Sequence, residues 1–294
     1  MPRSPLVAVS AFAAASAFAV LAGCAVIVVP DDGNGHSHFS FGGNAVQGNG
    51  QHASETRQVG GLDALDINGA VQVEVRVGQA PALTVEGDSN LLPLLHTEAS
   101  GGTLRVWEDG NLRSATPLRV VYSTPELHQV YANGSGQLAI SGLRGGPLTL
   151  AHNGSRMVQL SGRVSRLDLR LNGSGSVYAT GLEAGTTVAS LNGSGRLDLG
   201  RINGEALNLE VHGSGGVSAS GAVRSMNVRV HGSGSADLAS LTSQSAELSS
   251  HGSGGITAAV TQSLVAEANG SGQVTVYGNP AQRSVSGRHV SILQ

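Results

Sequence analysis

Serine recurs at 135, 155, 174, 194, 214, 233, 253 and 271, each inside a tetrapeptide that opens with Asn or His and continues Gly-Ser. A serine nucleophile needs one hydroxyl, activated by a base that a third group orients. Eight equivalent copies lack that singularity and point to a structural job, so no catalytic residue is assigned. His212, His231 and His251 open three successive tetrapeptides, which could offer imidazoles to zinc or copper. Side chains repeated in a ladder run parallel instead of converging on one point, so no metal ligand is assigned; protonation would set like charges side by side, a pH-sensitive corner. Calcium solenoids place aspartate at their glycine-rich corners, and serine stands there instead. A carbohydrate enzyme needs paired carboxylates, and Asp168, Asp198, Glu205 and Glu210 fall in different columns of the repeat. Glu210 and Arg229 are expected to pair across adjacent turns as a surface ion pair.

The elements that carry these residues follow from the spacing. Marks begin at Asn133, Asn153, Asn172, Asn192, His212, His231, His251 and Asn269, in steps of 20, 19, 20, 20, 19, 20 and 18 residues. A fixed period near twenty marks a solenoid, each turn burying its apolar face against its neighbours. Three residues before each mark, and five and seven after it, every residue is aliphatic, from Val130, Leu138 and Ile140 to Ala266, Val274 and Val276. Positions five and seven share one strand face, which predicts a parallel β-helix with turns about 4.8 Å apart. The marks are then its corners: Asn133-Gly134-Ser135-Gly136, Asn172-Gly173-Ser174-Gly175, Asn192-Gly193-Ser194-Gly195, and those opened by His212, His231, His251 and Asn269. Glycine supplies positive φ, serine can bond between turns, and asparagine can stack as an amide ladder. The second glycine fails only at Arg156.

Composition narrows the function classes. The 294 residues hold 43 glycines, 13% charged residues and a net charge of -3, without a basic cluster, which argues against a nucleic-acid partner. All 17 basic residues are arginine, which excludes lysine Schiff-base chemistry. The one cysteine, Cys24, closes the run LVAVSAFAAASAFAVLAGC and forbids an intrachain disulfide. Leu21-Ala22-Gly23-Cys24 resembles a lipoprotein signal and its lipobox, which implies cleavage after residue 23, several acyl chains on Cys24 and, with Ala25 following, an outer-membrane destination in the cell envelope. The competing reading is an uncleaved membrane helix reaching Val29. Residues 24–56, rich in Gly, Asn and His, read as a flexible tether, whose His36, His38 and His52 have no preset metal geometry. A folded domain over 57–294 follows, with strands around Asn68-Gly69 and, in LTVEGDSNLLPLLHTEASGGTLRVWE, a short helix capped by Asp88 or Ser89 with Pro93 in its first turn. That helix is the expected cover for the solenoid's open end.

The repeated NGSG and HGSG marks, DINGAVQVEVRVG, LTVEGDSNLLPLL, STPELHQV and the closing VYGNP together resemble the head GIN domain family of autotransporter-type adhesins from bacterial envelopes. The resemblance covers the chain from about Arg57 to its end and implies a right-handed β-helical fold with no assigned catalytic residue and no cofactor. The ending SVSGRHVSI lacks the expected glycine-serine-glycine. The reading that follows is an all-β, noncatalytic adhesin or scaffolding module on a lipid anchor, meeting a glycan or protein ligand of the envelope or surface. The alternative is a β-helical polysaccharide lyase or hydrolase.

Overall fold

A computed structural model describes residues 45–293, which form one compact unit. The stretch expected to be a signal segment, with Cys24, lies outside the described residues. No helix among those described is long and apolar enough to cross a membrane.

Among the described residues, nine strands precede the regular turns: β1 (Val46–Gln47), β2 (His52–Arg57), β3 (Ala64–Gly69), β4 (Gln72–Val77), β5 (Ala82–Asp88), β6 (Leu95–Ser100), β7 (Thr103–Glu108), β8 (Leu112–Arg113) and β9 (Arg119–Thr124). Strand β2 lies within the stretch expected to be tether and is paired along its length with β5, so ordered structure starts before residue 57. The regular turns follow as β10 (Gln129–Gly134), β11 (Gln137–Gly145), β12 (Leu148–Gly154), β13 (Met157–Gly173), β14 (Ser176–Gly193), β15 (Arg196–Gly213), β16 (Gly216–Gly232), β17 (Ser235–Gly252), β18 (Gly255–Gly270) and β19 (Val274–Tyr277). Strands β20 (Gln282–Ser286) and β21 (Val290–Leu293) add a last rung on β18 and β19, turning at Gly287 with φ +98° instead of at a glycine-serine corner.

All pairing among the regular turns is parallel and in the register that the period requires. Val130 pairs with Leu150, Leu150 with Leu169, Leu169 with Ala189, and the column continues to Ala266. The three aliphatic columns are buried from end to end, and a fourth buried column, aliphatic except for His152 and Ser250, lies one residue before each mark, with Leu171, Leu191, Val211 and Val230 fully enclosed. The solenoid has about eight turns.

The beginning is wound out of order. β7 pairs with β3 and β9 with β4, while β3 and β4 also pair with β10 and β11. Residues 64–77 are thus sandwiched between a turn made later in the chain, 103–124, and the first regular turn. The outer edges of that end are closed by antiparallel strands, β6 on β7 and β5 on β9, with β2 outside β5. The expected capping helix is absent. Its segment forms a single 3-10 turn at Leu92–Leu94 with Pro93 in it and no side-chain cap. Leu91, Leu92 and Leu95 are all buried, and continuing as β6 satisfies the backbone of β7, which a helix would leave exposed. Asp88 accepts a hydrogen bond from the Ser114 hydroxyl, and Ser89 from the Asn49 amide.

Candidate functional site

At each corner the two glycines do different work. The first glycine of every mark has φ between +101° and +129°, and a Cβ on Gly193 would stand 2.3 Å from the Gly173 carbonyl oxygen. The second glycine takes positive φ only at Gly136. Elsewhere it is small because the preceding turn presses on it with both backbone and inward side chain: a Cβ on Gly195 would meet Gly175 O at 2.5 Å and Leu171 Cδ2 at 2.7 Å, and one on Gly215 would meet Gly195 O and Leu191 Cδ2, each at 2.5 Å. The serines bond between turns chiefly through backbone. Gly173 O accepts from Ser194 N at 3.0 Å and Gly195 N at 3.1 Å, and the same fork recurs at Gly193, Gly213 and Gly232. Among the serine hydroxyls of the marks only Ser253 and Ser271 meet each other, at 3.1 Å.

Arg156, the one replacement of a second glycine, points inward and is fully buried. The residue beneath it is Ala132, whose methyl leaves the room that a leucine would fill. Its guanidinium reaches the carbonyl oxygens of Val71 at 2.7 Å, Gly69 at 2.8 Å and Gln137 at 3.2 Å, while Nε has no partner among the described residues. Desolvation lowers its pKa to about 10, against the raising effect of Glu108, so it stays charged at neutral pH. His152 lies alongside, its two ring nitrogens 2.8 Å from Ala132 O and 3.0 Å from Arg156 O. A neutral ring can donate only one of these.

Outside, the mark column forms two ladders. Asn133 Nδ2 donates to Asn68 Oδ1 at 3.0 Å, Asn153 to Asn133 at 2.8 Å, Asn172 to Asn153 at 2.7 Å and Asn192 to Asn172 at 2.9 Å. The next three rungs are imidazoles: His212 and His231 stack with centroids 4.8 Å apart, His231 and His251 at 5.2 Å. Asn269 resumes the column, its amide 3.4 Å from His251 Nε2. Glu210 does not pair with Arg229, although the two are in register. It turns to His212, with Oε1 2.9 Å from Nε2, while Arg229 turns to Glu247 at 3.3 Å. Glu210, His212 and His231 thereby bring three ligand atoms within 4.8 Å of one another. The columns alone did not pick out this grouping, because they fix which residues are neighbours and leave side-chain rotation open.

A second feature runs along the face that carries β9, β4, β11 and the strands stacked beyond it. An open trough begins between Arg119, Glu74, Gln137 and Met157, continues past Gln159 and Tyr178, and passes through Thr180 to Asp198, Ser218 and Asp237. Glu74 is tied by Arg76 at 2.7 Å and by Arg119, and the Arg76 hydrogen bond, followed by that of Arg119, lowers its pKa. Asp198 accepts from Gly200 N at 2.9 Å and Asp237 from Ala239 N at 3.3 Å. Asp198 and Asp237 share one column with Ser218 between them, an alignment that the sequence analysis passed over.

Neither feature assembles a hydrolytic triad. Among the described residues the one contact between a mark-column imidazole and a serine hydroxyl is Ser249 Oγ to His251 Nδ1 at 3.2 Å, and the far nitrogen faces Asn269 instead of a carboxylate. His212 has the carboxylate and lacks a hydrogen-bonded serine.

Comparison with known proteins agrees with this architecture. The chain resembles a crystal structure described as a putative lipid binding protein from Parabacteroides distasonis ATCC 8503, with TM-score 0.65 and 24% identity over 85% of this chain and 100% of that one. A putative adhesin from Parabacteroides merdae ATCC 43184 superposes with TM-score 0.62 and 19% identity over 86% and 100%. Another from P. distasonis gives 0.61 and 20% over 85% and 99%. These identities carry the fold alone. No curated protein matches the chain. Residues 61–199 and 180–280 match the family described as "Putative auto-transporter adhesin, head GIN domain". Eight stacked corners, the closed antiparallel end and this match over most of the sequence lead to one conclusion: the chain belongs to the head GIN domain family.

Proposed function

We propose that the protein is a noncatalytic, lipid-anchored module of the cell envelope, held by Cys24 and displaying its solenoid to an extended ligand. The observation that carries this reading is the run of adjoining surface hollows from Arg119 to Asp237, lined by the amides of Gln137 and Gln159, hydroxyls, charged groups such as Glu74 and Asp198, apolar side chains such as Met157, and the single aromatic Tyr178. Such a surface suits a polar polymer, a glycan above all, lying along the axis and meeting one rung after another, with hydroxyls bonding Gln137, Gln159 and Asp198. A lipid would have to lie on the surface too, because the inward columns fill the interior.

Two experiments test the reading. Cys24→Ser should abolish fatty-acid labelling and release the protein from the membrane fraction; labelling that persists refutes the anchor. Binding of the full chain to an array of envelope glycans should weaken by at least about tenfold in Tyr178→Ala, equivalent to about 1.4 kcal/mol. Asp198 and Asp237 keep the enzymatic reading in view, being about 10 Å apart across two rungs. Release of reducing ends from a bound glycan, abolished by Asp198→Asn, would replace the binding reading with a hydrolytic one.

A further inference from the structure

The imidazole rungs break the ladder's own rule. Each asparagine rung from Asn68 to Asn192 is held to the next by an amide hydrogen bond, whereas His212, His231 and His251 touch through ring faces only. Three turns therefore forgo an inter-turn bond that asparagine at the same corner would supply. A local rule broken at consecutive exposed positions, where ring stacking stands in place of the amide hydrogen bond, marks a site with another use.

We infer that Glu210, His212 and His231 form a surface site for a divalent transition-metal ion of the zinc, nickel or copper type. Two imidazoles and a carboxylate are the donor set such ions take, leaving further positions for water or a ligand. Glu210 and His212 stand two residues apart on the same outward face of β15, and His231 is the register partner of His212 on β16. The three donor atoms lie within 4.8 Å of one another, and the Glu210 and His212 side chains, already paired at 2.9 Å, are about half exposed. Tetrahedral binding with zinc–nitrogen bonds near 2.0–2.1 Å requires donors roughly 3.3 Å apart, which rotation about the side-chain bonds of the two rings supplies without moving the strands. The neighbouring cation, Arg229, is drawn away to Glu247, and the His231 ring meets its neighbours by stacking between His212 and His251. On the other side, the amide ladder is polar: each Nδ2 points back to the preceding rung, so Asn192 turns its Oδ1 toward the rung of His212. The site is thus flanked by a carbonyl oxygen on one side. His251 does not belong to it, because Ser249 and Asn269 engage its two nitrogens.

The test is a titration of the full-length protein with zinc alone, against a competing chromophoric chelator, with the imidazole signals followed by NMR. One equivalent should bind at the ladder and shift the signals of His212 and His231. His212→Asn, His231→Asn and Glu210→Gln should each weaken that binding by at least about tenfold, whereas His251→Asn should keep it. Asparagine is the column's own residue, so strand circular dichroism should be unchanged in the histidine variants. A triple variant, His36→Ala, His38→Ala and His52→Ala, separates the histidines that precede the solenoid from the site and should leave the ladder equivalent intact. Binding lost only in the triple variant, binding indifferent to both Glu210→Gln and His212→Asn, or no binding at all would overturn the inference.

Discussion

Gly193 combines two constraints that a β-branched side chain violates together: φ of +125° and a carbonyl oxygen 2.3 Å from where its Cβ would sit. Gly193→Val should therefore destabilise the fold by at least about 2 kcal/mol, measured by urea denaturation. An unchanged midpoint would show that the corner relaxes. Thr187 makes the opposite case. It occupies an inward column between Leu167 and Leu207, fully buried, and its hydroxyl has no partner among the described residues. Thr187→Val keeps the shape and removes the unsatisfied group, so the melting temperature should rise, by a stabilisation of about 1 kcal/mol. A fall would mean that the hydroxyl is satisfied in solution.

Between neighbouring turns, Ala132 and Arg156 act as one exchange of volumes. Arg156→Gly removes three hydrogen bonds to carbonyl oxygens and leaves a void above Ala132; Ala132→Leu by itself forces a side chain into the arginine's space. Both single variants should lose stability, and the double variant, which restores the arrangement of Leu171 under Gly195, should recover part of it, a coupling of about 1 kcal/mol or more in a double-mutant cycle. Strict additivity would refute the pairing. His152 supplies the pH dependence of the same turn. Desolvation lowers its pKa, the backbone hydrogen bonds to Ala132 and Arg156 raise it, and the charge of Arg156 lowers it further. Because the folded value is depressed, its contribution is complete above the unfolded pKa of about 6.5 and is lost as pH falls through the folded value. His152→Leu should flatten the acid limb of a stability–pH curve below about 6.5. Curves that stay parallel would assign the acid loss to other groups.

Taken whole, the solenoid is a stack in which each rung contacts its two neighbours, so its stability should be close to a sum over rungs. Deleting residues 197–216 joins Arg196 to Val217, the register partner of Leu197, and preserves every column. That protein should fold with the same circular-dichroism shape and a lower urea m-value, in proportion to the surface removed. Deleting residues 45–57 should do more harm, because it strips β2 from β5 and bares a sheet edge. Light scattering distinguishes the two: a monodisperse deletion of the edge strand and an aggregating deletion of the rung would reverse this account.

The repeat, its register and the aliphatic columns were readable from the sequence, because residues about twenty apart must superpose when a chain winds into turns, and each column then has one environment. Burial of Val130, Leu138 and Ile140 and of their successors follows directly. The winding of residues 45–128 was not readable. There β7 pairs with a strand made 39 residues earlier, Ala64 opposite Thr103, and β9 with one made 47 earlier, Gln72 opposite Arg119, and such long-range pairing leaves no period behind. For the same reason LLPLL read as the start of a helix: three buried leucines around a proline are compatible with a helix or with the single 3-10 turn that forms, and only the bare edge of β7 draws the chain from Leu95 onward into a strand. Arg156 stood out as a broken motif, but its inward direction depends on the alanine one turn below. The grouping of Glu210 with His212 and His231 likewise came from structure, because register places neighbours within reach and only the competition among Glu210, Arg229 and Glu247 in three dimensions decides which of them meet.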